Sequence, residues 1–163
     1  MNTAATLPTL TRERPEDADA VAGLVLRAFG PGRYAKAAER LREGRIPDYR
    51  LSFLAWDGGR LIGCVQLWPV TVGGEPAILL GPIAVDPAYR HHGLGGTLID
   101  RACVATAEAG HKLIVLVGDM PLFGPHGFNP AAKVVMPGPV DQRRVLTLAL
   151  EAGVEAEGLV AAA

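Results

Sequence analysis

Apolar residues fall at two spacings along this chain, and the spacing switches wherever glycine or proline intervenes. Val21, Leu24, Val25 and Ala28 recur at helical spacing and give one buried face. Pro15 suits a first helical position, and Glu16, Asp17 and Asp19 place acid in the opening turn, where the helix dipole favours it. Gly30 and Pro31 stop that helix, and "LPTLTRER" (7–14) before it is a short strand. A second helix, about 33–44, is more charged and ends at Gly44. Its Arg40, Arg42 and Arg45, mixed with Glu39 and Glu43, read as a solvated face.

Three apolar runs follow in "YRLSFLAWDGGRLIGCVQLWPVTVGGEPAILLGPIAV", separated by "DGG" (57–59) and "GG" (73–74). Turn residues between β-rich runs predict an antiparallel meander of three strands. The middle run is apolar on both alternating faces, which implies helices on both sides of the sheet. A helix over about 93–109 carries Leu94, Leu98, Ala102, Ala105 and Ala109 on one side and ends at Gly110. The apolar strand "KLIVLVGD" (112–119) comes next, so strand, helix and strand form a parallel crossover. Two further strands are expected near 133–136 and 144–150. The fold class is α/β (α+β): a mixed, mostly antiparallel sheet of six to seven strands flanked by helices on both faces.

Composition narrows the function. The 163 residues suit a single domain, 1–163, with its core over about 8–150 and an alanine-rich tail, 152–163, loosely held. A formal net charge of −1 argues against nucleic acid or a membrane surface as partner. No apolar stretch approaches the roughly 18 residues of a membrane span, and the N-terminus has no secretory pattern. Cys64 and Cys103 are far apart, so neither a disulfide framework nor a zinc site is expected; both read as packing residues, and a reducing cytoplasm is the default. Adjacent His91 and His92 rarely converge on one ion, so no metal is expected.

The chemistry concentrates in "LLGPIAVDPAYRHHGLGGTL" (79–98). Pro82 inside a central strand cannot donate a ladder hydrogen bond. It marks either a bulge or a place where the strand leaves its neighbour. In the second case the backbone of Ile83, Ala84 and Val85 is left to pair with an extended, amide-containing ligand. The glycines then begin at the first turn of the next helix, whose unpaired amides and positive dipole end suit an anion. Gly93, Gly95 and Gly96 let phosphate oxygens approach the backbone, and Arg90, with His91 or His92, adds charge beside it. A Rossmann fingerprint is absent, because Leu98 occupies the third glycine position, and no P-loop Gly-Lys-Ser/Thr is present.

The spacing R-x-x-G-x-G, Arg90 through Gly95, after a bulged strand resembles the acyl-CoA signature of the GNAT superfamily of N-acetyltransferases, over roughly residues 8–150. The wider string, continuing through "LIVLVGD" to "GF", resembles a bacterial subgroup of predicted acetyltransferases. The resemblance implies acetyl-CoA as co-substrate, with no metal, and transfer to an unidentified primary amine by a monomer or homodimer. It implies that Ile83, Ala84 and Val85 contact the acetyl carbonyl and pantetheine through their backbones. Arg90, His91, His92, Gly93, Leu94, Gly95 and Gly96 would hold the pyrophosphate. Phe123, in the "LFGPHGF" segment, would lie near the CoA sulfur. Phe29 and Trp68 are candidates for the acceptor pocket, and Asp119 for orienting or deprotonating the amine or for capping a turn. Two departures stand out. Phe123 occupies the position of the family's usual tyrosine acid, and Leu79 and Leu80 stand where many members carry a glutamate base. The alternative to an enzyme is therefore a CoA-binding regulatory module. Pro121, Gly124 and Pro125 also argue against a regular helix in that segment.

Overall fold

The two glycine turns produce the expected meander: β2 (Phe53–Asp57), β3 (Arg60–Val72) and β4 (Glu75–Val85) pair antiparallel in sequence order. The computed structural model describes residues 7–30, 37–90 and 92–163, and counts below refer to these. The short strand β1 (Thr9–Arg12) adds to the free side of β2. The crossover strand β5 (Leu113–Val117) joins β4 in parallel, and β8 (Val145–Ala149) and β6 (Asn129–Pro130) extend the sheet beyond it. The order is β1-β2-β3-β4-β5-β8-β6 in an open sheet.

Two helices cover opposite faces, as the doubly apolar middle strand required. Residues of β2 alternate: Leu54 joins Val21, Leu24 and Val25 of α1 (Ala18–Phe29), whereas Phe53 and Ala55 join Leu94, Leu98 and Ile99 of α3 (Leu94–Glu108). Gly30 ends α1 with φ at +71°, a backbone open to glycine, and its amide donates to the Leu26 carbonyl at 2.8 Å. The second helix ends earlier than its charge pattern suggested: α2 spans Ala37–Arg40 and turns continue to Gly44, while the predicted start at 33–36 lies outside the described residues.

The strand count is nine rather than six to seven, and the tail is not loose at its end. The reason lies in β3, whose 13 residues outrun its neighbour β2. Beyond Val65 the β2 ladder stops, and Val70–Val72 would be an open edge. β9 (Gly158–Ala162) closes that edge, pairing Val160, Ala161 and Ala162 with Val72, Thr71 and Val70, while β7 (Val134–Val135) covers its other side. Gly73 and Gly158 permit the approach: a Cβ on either would collide with the other segment's backbone.

Candidate active site

The site grows out of a gap in the sheet. β4 pairs with β5 only at Ile78 and Leu79, and from Leu80 onward the two strands separate. At the same point the β3–β4 register slips, with Val65 opposite Ile83 but Leu67 opposite Leu80, so Gly81 and Pro82 form a bulge opposite Gln66. The Gly81 carbonyl is turned aside to accept the Trp68 indole N–H at 2.7 Å. The Asp86 amide donates to the Ile62 carbonyl at 2.8 Å, which fixes the phase of the ladder. Ala84 therefore shares the hydrogen-bonded phase with Cys64, and Ile83 and Val85 aim their amides and carbonyls into the gap. The Val85 carbonyl accepts a long bond, 3.4 Å, from Arg90 Nε. Asp86, buried at the end of the strand, accepts from the Ala88 amide and from Arg60. The amide first and the guanidinium second hold its carboxyl below the usual range and anchor the turn into the next helix.

The helix start lies beside this gap. Gly93, the N-cap of α3, has φ +70°, a left-handed conformation that favours glycine, and no side chain caps the terminus. The amides of Leu94, Gly95 and Gly96 precede the first intrahelical bond, made by Thr97 to Gly93 at 3.2 Å. The three glycines have different reasons. A Cβ on Gly95 would reach only Val85 and Ile83, at 3.9 and 4.0 Å, so Gly95 leaves open space next to the strand edge. A Cβ on Gly96 would lie 3.5 Å from the His126 ring. That ring is mostly buried and is held by Asp100, whose carboxylate lies 2.6 Å from Nδ1.

Across the gap a cleft of about 400 Å³ opens, with Ile83 belonging to both regions. Val25 and Phe29 of α1 form one wall, joined by Glu39 and Arg42 around α2. The opposite wall comes from Asp119, from α4 (Met120–Phe123) with Leu122 and Phe123, and from the loop before β8 with Val140 and Arg144. Each wall carries an ion pair. Arg42 Nη2 donates to Glu39 Oε2 at 2.8 Å with both side chains largely buried, and Arg144 Nε donates to Asp119 Oδ1 at 3.0 Å nearer the surface.

Several sequence candidates come together here. Ile83 and Val85 line the gap, Gly95 faces it, Gly93 caps the helix beside it, and Phe29, Asp119 and Phe123 line the cleft. Others do not. Ala84 bonds toward β3, so it offers the gap no main-chain group. Leu94 turns its side chain into the core and contributes an amide only. Arg90 leans on the Ala28 carbonyl, at 3.1 Å, and on Val85. His92 is exposed beside Tyr89, and His91 lies outside the described residues. Trp68 is buried with Leu41 and Val70 and does not line the cleft. Cys64 is buried, which pushes its thiol up to about 12 and leaves it a packing residue. Pro121 sits in the first turn of a single-turn α4 that ends at Gly124, and a 3-10 turn over Gly124–His126 follows, so no regular long helix forms in the segment. Phe123 is buried there, edge-on to Phe128 with centroids 5.7 Å apart, and its ring fills the space that a Cβ on Gly118 would need.

The principal correction concerns Glu39 and Arg42. Arg40, Glu43 and Arg45 are exposed as expected, but these two are not: the turn after α2 brings Arg42 Nη1 within 3.5 Å of the Cβ position of Gly81, and Arg42 pairs there with Glu39 of α2. Nothing in helical charge spacing distinguishes this from exposure. Arg144 and His126 were also missed, each meeting its partner 25 or 26 residues away in sequence.

Residues 19–124 match the acetyltransferase (GNAT) family. The chain is 36% identical over 123 residues, 74% of its length and 72% of the relative's, to the uncharacterized N-acetyltransferase YhbS of Escherichia coli K12. Its structure resembles that of E. coli YhbS in complex with CoA, with TM-score 0.82 and 29% identity, covering 100% of this chain and 94% of that one. It also resembles a GNAT-family acetyltransferase from Brucella melitensis in complex with acetyl-CoA, with TM-score 0.71, 27% identity and 94% of both chains covered. The chain belongs to the acetyltransferase (GNAT) family and is an N-acetyltransferase by class.

Proposed function

We propose that this protein transfers the acetyl group of acetyl-CoA directly to a primary amine. The observation that carries the reading is the coincidence of the strand gap at Ile83–Val85 with the uncapped start of α3. Amides of an extended pantetheine arm suit the free strand edge, and a pyrophosphate suits the Leu94, Gly95 and Gly96 amides and the dipole behind them. The CoA and acetyl-CoA complexes of the two similar structures support the same ligand. The thioester carbonyl, lying along the edge, would find main-chain N–H donors for the developing oxyanion. A thiolate is a good leaving group, so buried Phe123 in place of a tyrosine is compatible with turnover. Asp119, tied to Arg144, orients the acceptor at the mouth.

Among the described residues no cluster of three or more His, Cys, Asp or Glu is placed to hold a metal, and none of the steps calls for one. No helix there is long and apolar enough to cross a membrane. Two free cysteines fit a cytoplasmic setting.

Incubation with acetyl-CoA and a cell extract, followed by mass spectrometry, tests the activity. Products 42 Da heavier, as acetylation requires, are expected with the protein and absent without it. Acetyl-CoA binding with no acetylated product would favour a regulatory CoA-binding module, the reading suggested by Phe123 and by apolar Leu79 and Leu80.

A further inference from the structure

We infer that Glu39 receives the acceptor amine and takes its proton, with Arg42 as the residue that positions the carboxylate. The inference rests on the acetyl-transfer reading above and assigns the base that reading leaves open.

Position comes first. Glu39 lines the cleft on the side of the sheet gap away from α3, and its partner Arg42 lies over the Gly81 bulge, two residues before Ile83. A thioester laid along Ile83–Val85 would present its carbonyl carbon near that bulge. The amine must come from the cleft side, where Glu39 stands.

Burial comes second. The Glu39 and Arg42 side chains are only 18% and 10% exposed, against 69% and 47% for Asp119 and Arg144. Burying an ion pair costs desolvation that its attraction only partly repays, so this pair between α2 and the turn after it has little stabilising rationale. At a site that must accept a cation and a proton, the same burial strengthens the interaction with an ammonium. The competing carboxylates are worse placed. Asp119 is held at the mouth by Arg144, Asp141 pairs with exposed Arg143, and Glu13 is buried against Gln66 without lining the cleft.

The chemistry balances without another reactant. An alkylammonium entering the cleft gives one proton to the Glu39 carboxylate and becomes a neutral amine. The nitrogen lone pair forms a bond to the acetyl carbon, the C–S bond breaks, and CoA leaves as thiolate. The second nitrogen proton goes to that thiolate, and Glu39 returns its own to solvent. The sum is ammonium plus acetyl-CoA giving amide, CoA thiol and one proton. Val25, Phe29, Leu122 and Val140 share the cleft, so the amine class it suits carries an apolar stem.

The test uses whichever amine in the cell extract gives the most acetylated product, re-assayed pure. Glu39→Gln is expected to lower kcat at least about 100-fold with acetyl-CoA affinity within twofold. Its residual rate is expected to climb about tenfold per pH unit below the amine's own pKa, because only pre-formed free amine reacts. Formate added to Glu39→Ala is expected to restore part of the rate. Arg42→Met is expected to lower kcat in the native background and to change little in Glu39→Gln, as coupled residues do. A folded Glu39→Gln with native kcat and pH profile would overturn the assignment, as would a slow Glu39→Ala indifferent to formate. Wild-type protein that binds acetyl-CoA and acetylates nothing would overturn the activity, and the assignment with it.

Discussion

The two sides of the strand gap are built from different materials. On the α3 side the proposed binding groups are main-chain amides of consecutive residues, Leu94 to Gly96, presented by one helix start and kept bare by glycine. On the cleft side they are side chains from segments far apart in sequence: Phe29, Glu39 and Arg42, Asp119 and Phe123, and Arg144. A backbone cradle takes a fixed ligand, and a phosphate chain is the same in every acetyl-CoA reaction. Side chains carried on separate segments can be exchanged one at a time without disturbing that cradle, so acceptor preference can change while the proposed cofactor site stays.

Substitutions on the two sides are therefore expected to separate affinity from turnover. The largest effect in this group belongs to Gly95→Val. Gly95 has space around its Cβ position and helical backbone, so the variant is expected to fold. It is also expected to bind acetyl-CoA at least about tenfold more weakly, or roughly 1.4 kcal/mol, in a calorimetric titration. Unchanged affinity in a folded variant would move the anion site away from α3. Asp119→Asn comes next. Because Asp119 is exposed and already paired with Arg144, its loss is expected to raise the acceptor KM severalfold while kcat falls less than about tenfold. A loss of 100-fold in kcat with a displaced acidic limb would place the base on this wall instead of on α2.

The same contrast explains what the sequence reveals. The helix start is legible because R-x-x-G-x-G imposes local backbone geometry, and Pro82 marks the gap because proline breaks a ladder wherever it sits. The meander, the crossover and both covering helices follow from spacing and glycine turns. Glu39 and Arg42 were illegible because i,i+3 charges look alike on a solvated helix and on one folded over a cleft. Strand β9 was illegible because its necessity arises from β3 outrunning β2, a property of two strands together. His126 escaped because its partner Asp100 lies on another helix.

Phe123→Tyr probes the boundary between the sides. The ring is buried against Gly118 and Phe128 but reaches the cleft wall, so a hydroxyl adds a proton donor without removing packing. Turnover kept or raised about two- to threefold is expected, and its loss with acetyl-CoA binding intact would show that the ring contacts the acyl group or the acceptor directly.

The smallest effect is a control on a carboxylate outside the cleft. Glu13 is buried and accepts Gln66 Nε2 at 3.0 and 3.2 Å; burial, outweighing that bond, holds its carboxyl above the ordinary value of 4.5. The folded state therefore keeps a proton that the unfolded chain releases. Stability falls as pH rises from 4.5 through the raised value and is level above it. Glu13→Gln removes that penalty, so a gain in stability at pH 7 in urea unfolding is expected, shrinking toward pH 4, with kcat unchanged. A fall in kcat would bring Glu13 into the reaction and weaken the case for Glu39.

Whether the bare start of α3 and the open edge of β4 together hold acetyl-CoA is decided by calorimetric titration of the protein with acetyl-CoA. The titration is paired with a thermal melt at saturating ligand. A micromolar dissociation constant and a raised midpoint are expected, since a ligand bound only to the folded state stabilises it by about 2.7 kcal/mol at 100 times its dissociation constant. No heat and no shift at millimolar acetyl-CoA would contradict this.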